Sequence, residues 1–485
     1  MIIFPQRLVL SAALTATPLT YPRIGYTNLA RGLAASAVTV STETVDGPKD
    51  APLRPDTAEA WAASALPATW TVDLGSAQSI DYVGIAGHTL GSCAAAVAIA
   101  LDSDATLPAP YLSSPGSTGN YASTPDSASN SVTGDIDIRT HVAATDYTPS
   151  ANDTLVAKWN PTGTQQSWSF DIETTGKLIL RTTANGSTVR THTSSAATAL
   201  TDGTAKWLRA TRAAATGVVK FYTSADGVTY AQLGTDVAGT VEGIFDGTAP
   251  IEIGSNALGT ANQFNGRVYY SEVRSGIGGA VVSQFDPGDG EDGASSWVSG
   301  LGETWTVNTS GAPVARLYNN AFATAYAPAD NAPLMFLDTA RSGRYLRVTV
   351  TGAGAIPRIA SIYVGSVLAM EKQMANPFAP LNMARETVLS QTLSRGGQFL
   401  GQGFRRNGVM SSVGFKSLTA AWVRTYFDPF SKSARNLPYF FAWNPQDYPQ
   451  EVGYVWTDKD IVPAYSGEIV FGMEVSWSMK GIGAA

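Results

Sequence analysis

Two aspartates two residues apart, Asp135 and Asp137 in Gly134-Asp135-Ile136-Asp137-Ile138-Arg139, are the carboxylate pair best spaced for acid–base work. Alternate residues of a strand share one face, and glycosidic cleavage needs two carboxyl groups flanking the bond. On motif grounds a solvated pair at a strand edge is the preferred reading. His88, His141 and His192 are the only histidines and lie far apart, which argues against a histidine-based zinc site and a Ser-His-Asp arrangement. His88, in Gly87-His88-Thr89-Leu90 just after a strand, reads as a hydrogen-bonded structural imidazole. Cys93, the single cysteine, has no basic or histidine neighbour to lower its pKa and reads as a small buried hydrophobe. Neither a Gly-x-Ser-x-Gly elbow nor a phosphate-cradling glycine loop occurs. No catalytic residue is assigned. Asp286, Asp289, Glu291 and Asp292 cluster in a Gly/Pro-rich loop and are the one candidate metal set, hard oxygen ligands of the kind Ca²⁺ takes. Asp102 and Asp104 are a weaker pair of the same type.

The elements that must position these groups are strands. The chain has 485 residues, only 15% of them charged and 44% hydrophobic, with 47 Gly and 26 Pro. Few strong helix formers and much Gly/Pro punctuation predict an all-β, multidomain chain. The formal charge is −7 with no basic stripe, which argues against a nucleic-acid partner. No apolar run reaches the roughly 20 residues of a membrane span, so no membrane insertion is expected. The segment Leu8–Ala16 after Arg7 has the look of a weak signal peptide but is read as a strand or extended arm.

Charge divides the chain. Residues 119–310 carry 11 basic and 19 acidic groups, whereas 311–370 carry 5 and 2, so the middle block reads as an insertion. Trp70–Gly75 and Ile80–Ala86 are expected as two short strands joined by a turn, and 102–120 as a linker. Asn185-Gly186 and Asp226-Gly227 suit type I′ hairpin turns, the second returning along Val228–Leu233. The clearest alternation runs from Ile469 through Phe471, Met473 and Val475 to Trp477. One helix is expected, with Leu418, Trp422, Tyr426 and Phe430 on one stripe, a cap at Ser417 or Thr419, and a break or restart at Pro429.

Trp70-Thr71-Val72-Asp73-Leu74-Gly75, Tyr345-Leu346-Arg347-Val348 and Ile362-Tyr363-Val364-Gly365 resemble the strands of a discoidin-like (galactose-binding-like) β-sandwich, discontinuous over 1–115 and 312–370. Leu155–Trp159, Ser167–Phe170, Lys206–Ala210, Val219–Ser224, Pro250–Gly254 and Phe264–Tyr270 resemble an inserted laminin-G or concanavalin-like jelly roll over 119–311. Residues 371–485 resemble a mainly-β tail protein of long-tailed bacteriophages, through Leu393–Gln398, Trp422-Val423-Arg424, Phe440–Pro445 and Gly453–Asp458. The last resemblance implies a virion component of a tail tip or baseplate, distal-tail-like. It would be a homo-oligomer (trimer or hexamer) around the tail axis, with other tail proteins as partners. The jelly-roll resemblance implies a host-surface glycan as ligand and calcium near the ligand face.

An aromatic ring offers a sugar an apolar face beside a polar handle. Trp159, Trp168, Tyr269, Tyr270 and Trp297 are the candidates in the inserted block, while Trp207 and Phe221 lie inside strand patterns and read as core. Tyr269 and Tyr270 are adjacent, so one of the two is expected to point outward. Arg395, Arg405, Arg406, Trp422, Trp443 and Trp456 make the last block rich in the residue types of protein interfaces and are assigned to assembly. The alternatives are a glycan hydrolase of lectin-like fold and a tail protein without a ligand. Against the first, lectin-like hydrolases carry Glu-x-Asp-x-x-Glu on one strand, and Gly134–Arg139 lacks both glutamates.

Overall fold

The computed structural model describes residues 2–3, 17–375, 377–466 and 472–483, without the side chains of 2–3, 324–325, 387–389, 404–407 and 483. The protein is all-β, and the described residues form four eight-stranded sheets. The expected arm at Leu8–Ala16 and the start of the alternating strand, Ile469–Phe471, lie outside the described residues. Two compact units emerge where the sequence suggested three segments: residues 1–107 with 321–485, and residues 108–320.

In the discontinuous unit the central pair is Ala68–His88 against Leu334–Gly352, flanked by Ala95–Asp102 and Arg358–Gly365. Trp70, Val72, Ile85, Leu346, Val348 and Ile362 are buried in its core. The two short strands expected between Trp70 and Ala86 are one long strand, whose middle, Gly75–Ala77, is exposed around the left-handed Gly75 (φ 82°). The second sheet of this unit runs Leu368–Ala369, Arg23–Gly25, Tyr439–Ala442, Val452–Trp456, Gly472–Gly483, Phe399–Thr419, Arg385–Leu393. Tyr82, Tyr363, Phe440 and Tyr454 form one buried cluster. Gly84 is required there, because a Cβ would collide with the Phe440 ring.

From Met473 on, the alternating strand buries Met473, Val475, Trp477 and Met479 and leaves Ser476 exposed. The helix is capped by Thr419, whose hydroxyl accepts from the Trp422 N–H at 3.4 Å. It passes through a wider turn at Val423–Phe427 and restarts as Asp428–Ala434 with Pro429 in the first turn of the new segment, the restart expected there. The wide turn also moves the buried stripe to Val423, Phe427 and Phe430, leaving Tyr426 exposed, and Leu418 belongs to the preceding strand.

Residues 108–320 form a sandwich of two antiparallel sheets around one core, with Trp168, Phe170, Leu180, Leu208, Phe221, Phe264 and Trp305 fully or almost fully buried. The first sheet runs Val189–Ala197, Lys177–Thr183, Gln165–Ile172, Asp153–Asn160, Ile251–Ile253, Tyr121–Thr124, Thr304–Asn308, Ser296–Val298. The second runs Ala231–Gln232, Val219–Ser224, Lys206–Arg212, Ile136–Ala144, Asn265–Ser275, Tyr111–Pro115, Arg316–Tyr318. The stretch read as a linker thus supplies a strand, and that strand pairs with Arg316–Tyr318, so the first and last strands of the unit are neighbours.

Neither dipeptide forms a two-residue type I′ turn. Thr183 pairs with Val189 across a five-residue loop in which Asn185 accepts from the Ser187 and Thr188 N–H groups, and of its two central residues only Gly186 has positive φ. Asp226 likewise accepts from Val228 and Thr229, and the returning strand shrinks to Ala231–Gln232. The Asx side chain closes the turn that a primed backbone would otherwise make.

Candidate functional site

The site builds from the second sheet of the 108–320 unit. In Ile136–Ala144, Ile136, Ile138 and Val142 face the core, so Asp137, Arg139, His141 and Ala143 face outward. Register then sets the outward rows. Trp207, His141 and Tyr270 form one; Tyr222, Arg209, Arg139 and Glu272 the next; Lys220, Thr211, Asp137 and Arg274 the third. On the other side lie Ala143, Arg267, Ser113 and Arg316, and then Tyr111 with Tyr318.

A β-bulge decides what happens at the two tyrosines. Val268 pairs with Val142, but Tyr270 pairs with His141, leaving Tyr269 as the extra residue. An extra residue interrupts the strict two-residue alternation. Both tyrosines therefore serve the outward face, where alternation predicted only one: Tyr269 lies 4.9 Å from the His141 ring and Tyr270 lies 5.5 Å from the Trp207 ring. His141 and Trp207 stack in parallel at 4.9 Å. The Asp226-Gly227 turn also packs against the indole, where a Cβ on Gly227 would sit 2.6 Å from it. Trp207 is thus not in the core, as its strand pattern implied, but packed between neighbours on the outer face. Tyr269 and Tyr270 are half-buried and tilted by 35° and 53° to their neighbours, so their rings are not stacked flat against them.

An ionic network holds Tyr270. The Tyr270 hydroxyl donates to Glu272 at 3.2 Å, and Glu272 is bridged by Arg274 at 2.7 Å and Arg139 at 3.5 Å. Asp137, fully buried, accepts from Arg209 (2.8 Å) and Arg139 (3.0 Å) and from the Gly278 N–H. Burial raises its pKa, but the hydrogen bonds from the two arginines outweigh it and hold the carboxyl below its usual range. Asp137 is therefore a structural carboxylate and not the solvated edge residue expected, while Asp135 accepts from the Ala214 N–H. Burial lowers the pKa of His141, which keeps the stacked imidazole neutral at pH 7.

Three of the five sugar candidates are corrected. Trp159, Trp168 and Trp297 are 6%, 0% and 7% exposed, respectively, and present no ring face to a ligand. Trp168 points inward beside Phe170, and Trp297 packs edge-on against Phe285. In the candidate calcium loop the carboxylates cap and bridge the loop itself. Asp286 accepts from the Gly288 N–H, Asp289 from the Gly300 N–H, and Asp292 from Arg316 and the Asn319 N–H. Among the described residues no group of three or more His, Cys, Asp or Glu is placed to hold a metal, Glu291 included.

In the other unit Arg395 is exposed in the turn after Leu393, and Arg405 and Arg406 lie on the Phe399–Thr419 strand. Trp422 is half-buried against Phe427, and Trp443 stacks on Tyr448 at 5.0 Å and donates to Glu451. Trp456 lines a cavity of about 520 Å³ with Pro55, Thr57, Pro438 and Tyr454. His88 is buried with its ring 2.8 Å from the Ala332 carbonyl, and Cys93 is buried. The sequence reading missed Tyr111, Tyr318, His141, Arg209 and Arg267 as members of one face, because strand register alone brings them together.

No protein-family model matches the chain, and no curated protein matches it. Among solved structures it is similar to domains LG4-5 of the mouse laminin alpha1 chain, with 19% identity and a TM-score of 0.27 over 37% of this chain and 44% of that one. The chain thus spans less than half of that laminin chain. It is also similar to the CBM40 domain of the Ruminococcus gnavus IT-sialidase in complex with α2,3-sialyllactose (13% identity, TM-score 0.25, 33% of this chain and 89% of that one). A third is tailspike protein 2 of the Escherichia coli O157:H7 bacteriophage CAB120 (14% identity, TM-score 0.23, 37% and 26%).

Proposed function

We propose that the protein is a non-catalytic structural component of a phage tail tip or baseplate whose 108–320 unit binds a host-surface carbohydrate. The observation that carries the binding half is the face on which Tyr269 and Tyr270 lie tilted beside the stacked His141–Trp207 pair. Rings held this way lose little conformational freedom when a sugar docks. Their faces supply apolar contact, and the surrounding arginines and carboxylates supply polar partners. Catalysis is not part of the reading: Asp137 and Glu272, the carboxylates at outward positions of these strands, are each engaged by two arginines.

The assembly half rests on the tail-protein resemblance of residues 371–485. In this reading that segment joins neighbouring tail proteins and further copies of the chain, and the protein resides in the virion. Labelled antibody on purified particles tests it: signal at the tail tip, in several copies per particle, is the expected result. Free monomer with no particle signal would overturn the assembly half.

A further inference from the structure

Arg385–Leu393 and Phe399–Thr419 pair with each other from Arg385 opposite Val409 to Leu393 opposite Phe399. The longer strand meets its other neighbour, Gly472–Gly483, only from Val409 onward. Residues 385–408 are therefore a two-stranded ribbon that no third strand flanks among the described residues. Its outer strand has nine residues, a length of about 30 Å. A two-stranded ribbon by itself is marginally stable in water, and its outer strand is an open edge, so this element calls for a partner.

The tip of the ribbon is apolar and exposed. Leu393 and Phe399 stand opposite each other in register, so their side chains share one face, and they are 56% and 64% exposed. Leu400, the extra residue where the register shifts, is 63% exposed. Residues 387–407 hold three arginines, Arg395, Arg405 and Arg406, and no Asp or Glu, in a chain of formal charge −7. The same unit carries a socket of matching character. The cavity of about 520 Å³ is lined by Pro55, Pro438, Trp456 and Ile482, with Ala58 and the exposed Asp56 beside them. Residues 50–59, the loop that supplies its Pro55–Ala58 wall, hold three acids (Asp50, Asp56, Glu59) and one base (Arg54). Tip and socket thus agree in apolarity and are opposite in charge.

We infer that the Leu393–Phe399 tip of one copy of this chain docks head to tail in the Trp456 cavity of the next copy, with the arginines of the tip meeting the acidic loop 50–59. This rests on the reading that residues 371–485 join further copies of the chain. A contact between two different surfaces repeats from copy to copy, and it closes into a ring where the rotation between copies allows.

Sedimentation of the purified full chain over a range of concentrations tests this. The tip variant is Leu393→Ser/Phe399→Ser and the socket variant is Ala58→Arg, all at exposed positions, and a thermal melt of each checks that it folds. The wild-type chain is expected to self-associate, and each variant alone to do so about tenfold or more weakly. Mixing the two variants is expected to restore pairs and nothing larger, because one intact tip then meets one intact socket and both ends of the pair are blocked. Association that survives either variant, or a mixture that forms no pairs, overturns the contact and leaves the assembly reading standing. A wild-type chain that stays monomeric also overturns the contact, and antibody labelling of particles then shows whether the assembly reading falls with it.

Discussion

Tyr111 stacks on Tyr318 with ring centroids 4.9 Å apart and planes 18° apart, the first on the strand that opens the 108–320 unit and the second on the strand that closes it. Because these strands pair, the ends of the segment meet within its own sheet, and both sheets and their common core lie between them. Residues 108–320 expressed alone are therefore expected to fold and to unfold cooperatively on heating. A melt without a transition would contradict this.

Truncations should separate core from face. Trp168→Ala removes a fully buried indole and is expected to cost ~3–5 kcal/mol of stability. Tyr269→Ala, at a half-buried outward position, should cost less than about 1.5 kcal/mol of stability while weakening saccharide binding by roughly 1–2 kcal/mol. Denaturant unfolding and binding isotherms on both variants check the contrast, and equal stability losses would contradict the placement of the two rings.

Asp137→Ala leaves Arg139 and Arg209, both largely buried, without their shared carboxylate. A loss of ~3–5 kcal/mol is expected, because an uncompensated buried charge is costly. Replacing all three residues with apolar ones of similar volume should recover much of that loss. Denaturant titration of the single and triple variants measures both.

Stability should depend on pH through Asp153. Burial above all, with Asp146 and Asp171 adding to it against a backbone hydrogen bond from Asn265, pushes its carboxyl from 3.8 up to about 7. Between those values the native state holds a proton that the unfolded chain has released. This contribution to stability is full below 3.8, falls as pH rises, and is gone above about 7. Asp153→Asn, neutral throughout, should melt close to wild type near pH 4 and several degrees higher at pH 8. Melting curves at the two pH values decide it, and an unchanged difference would contradict the raised pKa.

Sequence patterns carried the strands further than the site. In Ile136–Ala144 the alternation of Ile136, Ile138 and Val142 with Asp137, Arg139 and His141 already separates core from face. The same rule was available for Trp168, which alternates with Phe170 and Ile172 toward the core, yet residue type suggested a ligand face. The bulge at Tyr269 left no mark, since Val268-Tyr269-Tyr270 reads as regular strand. Nor could local pattern join Tyr111 to Tyr318, 207 positions apart in sequence, because their register is set by the intervening fold. Asp286, Asp289 and Asp292 looked like ion ligands because composition does not show which backbone N–H groups a loop brings to its own carboxylates.

The most direct test of the central claim is adsorption of particles that carry Tyr269→Ala/Tyr270→Ala in this chain. The account predicts particles assembled in normal number, with the protein at the tail tip, that adsorb to host cells several-fold more slowly. Normal adsorption by the variant particles would contradict it.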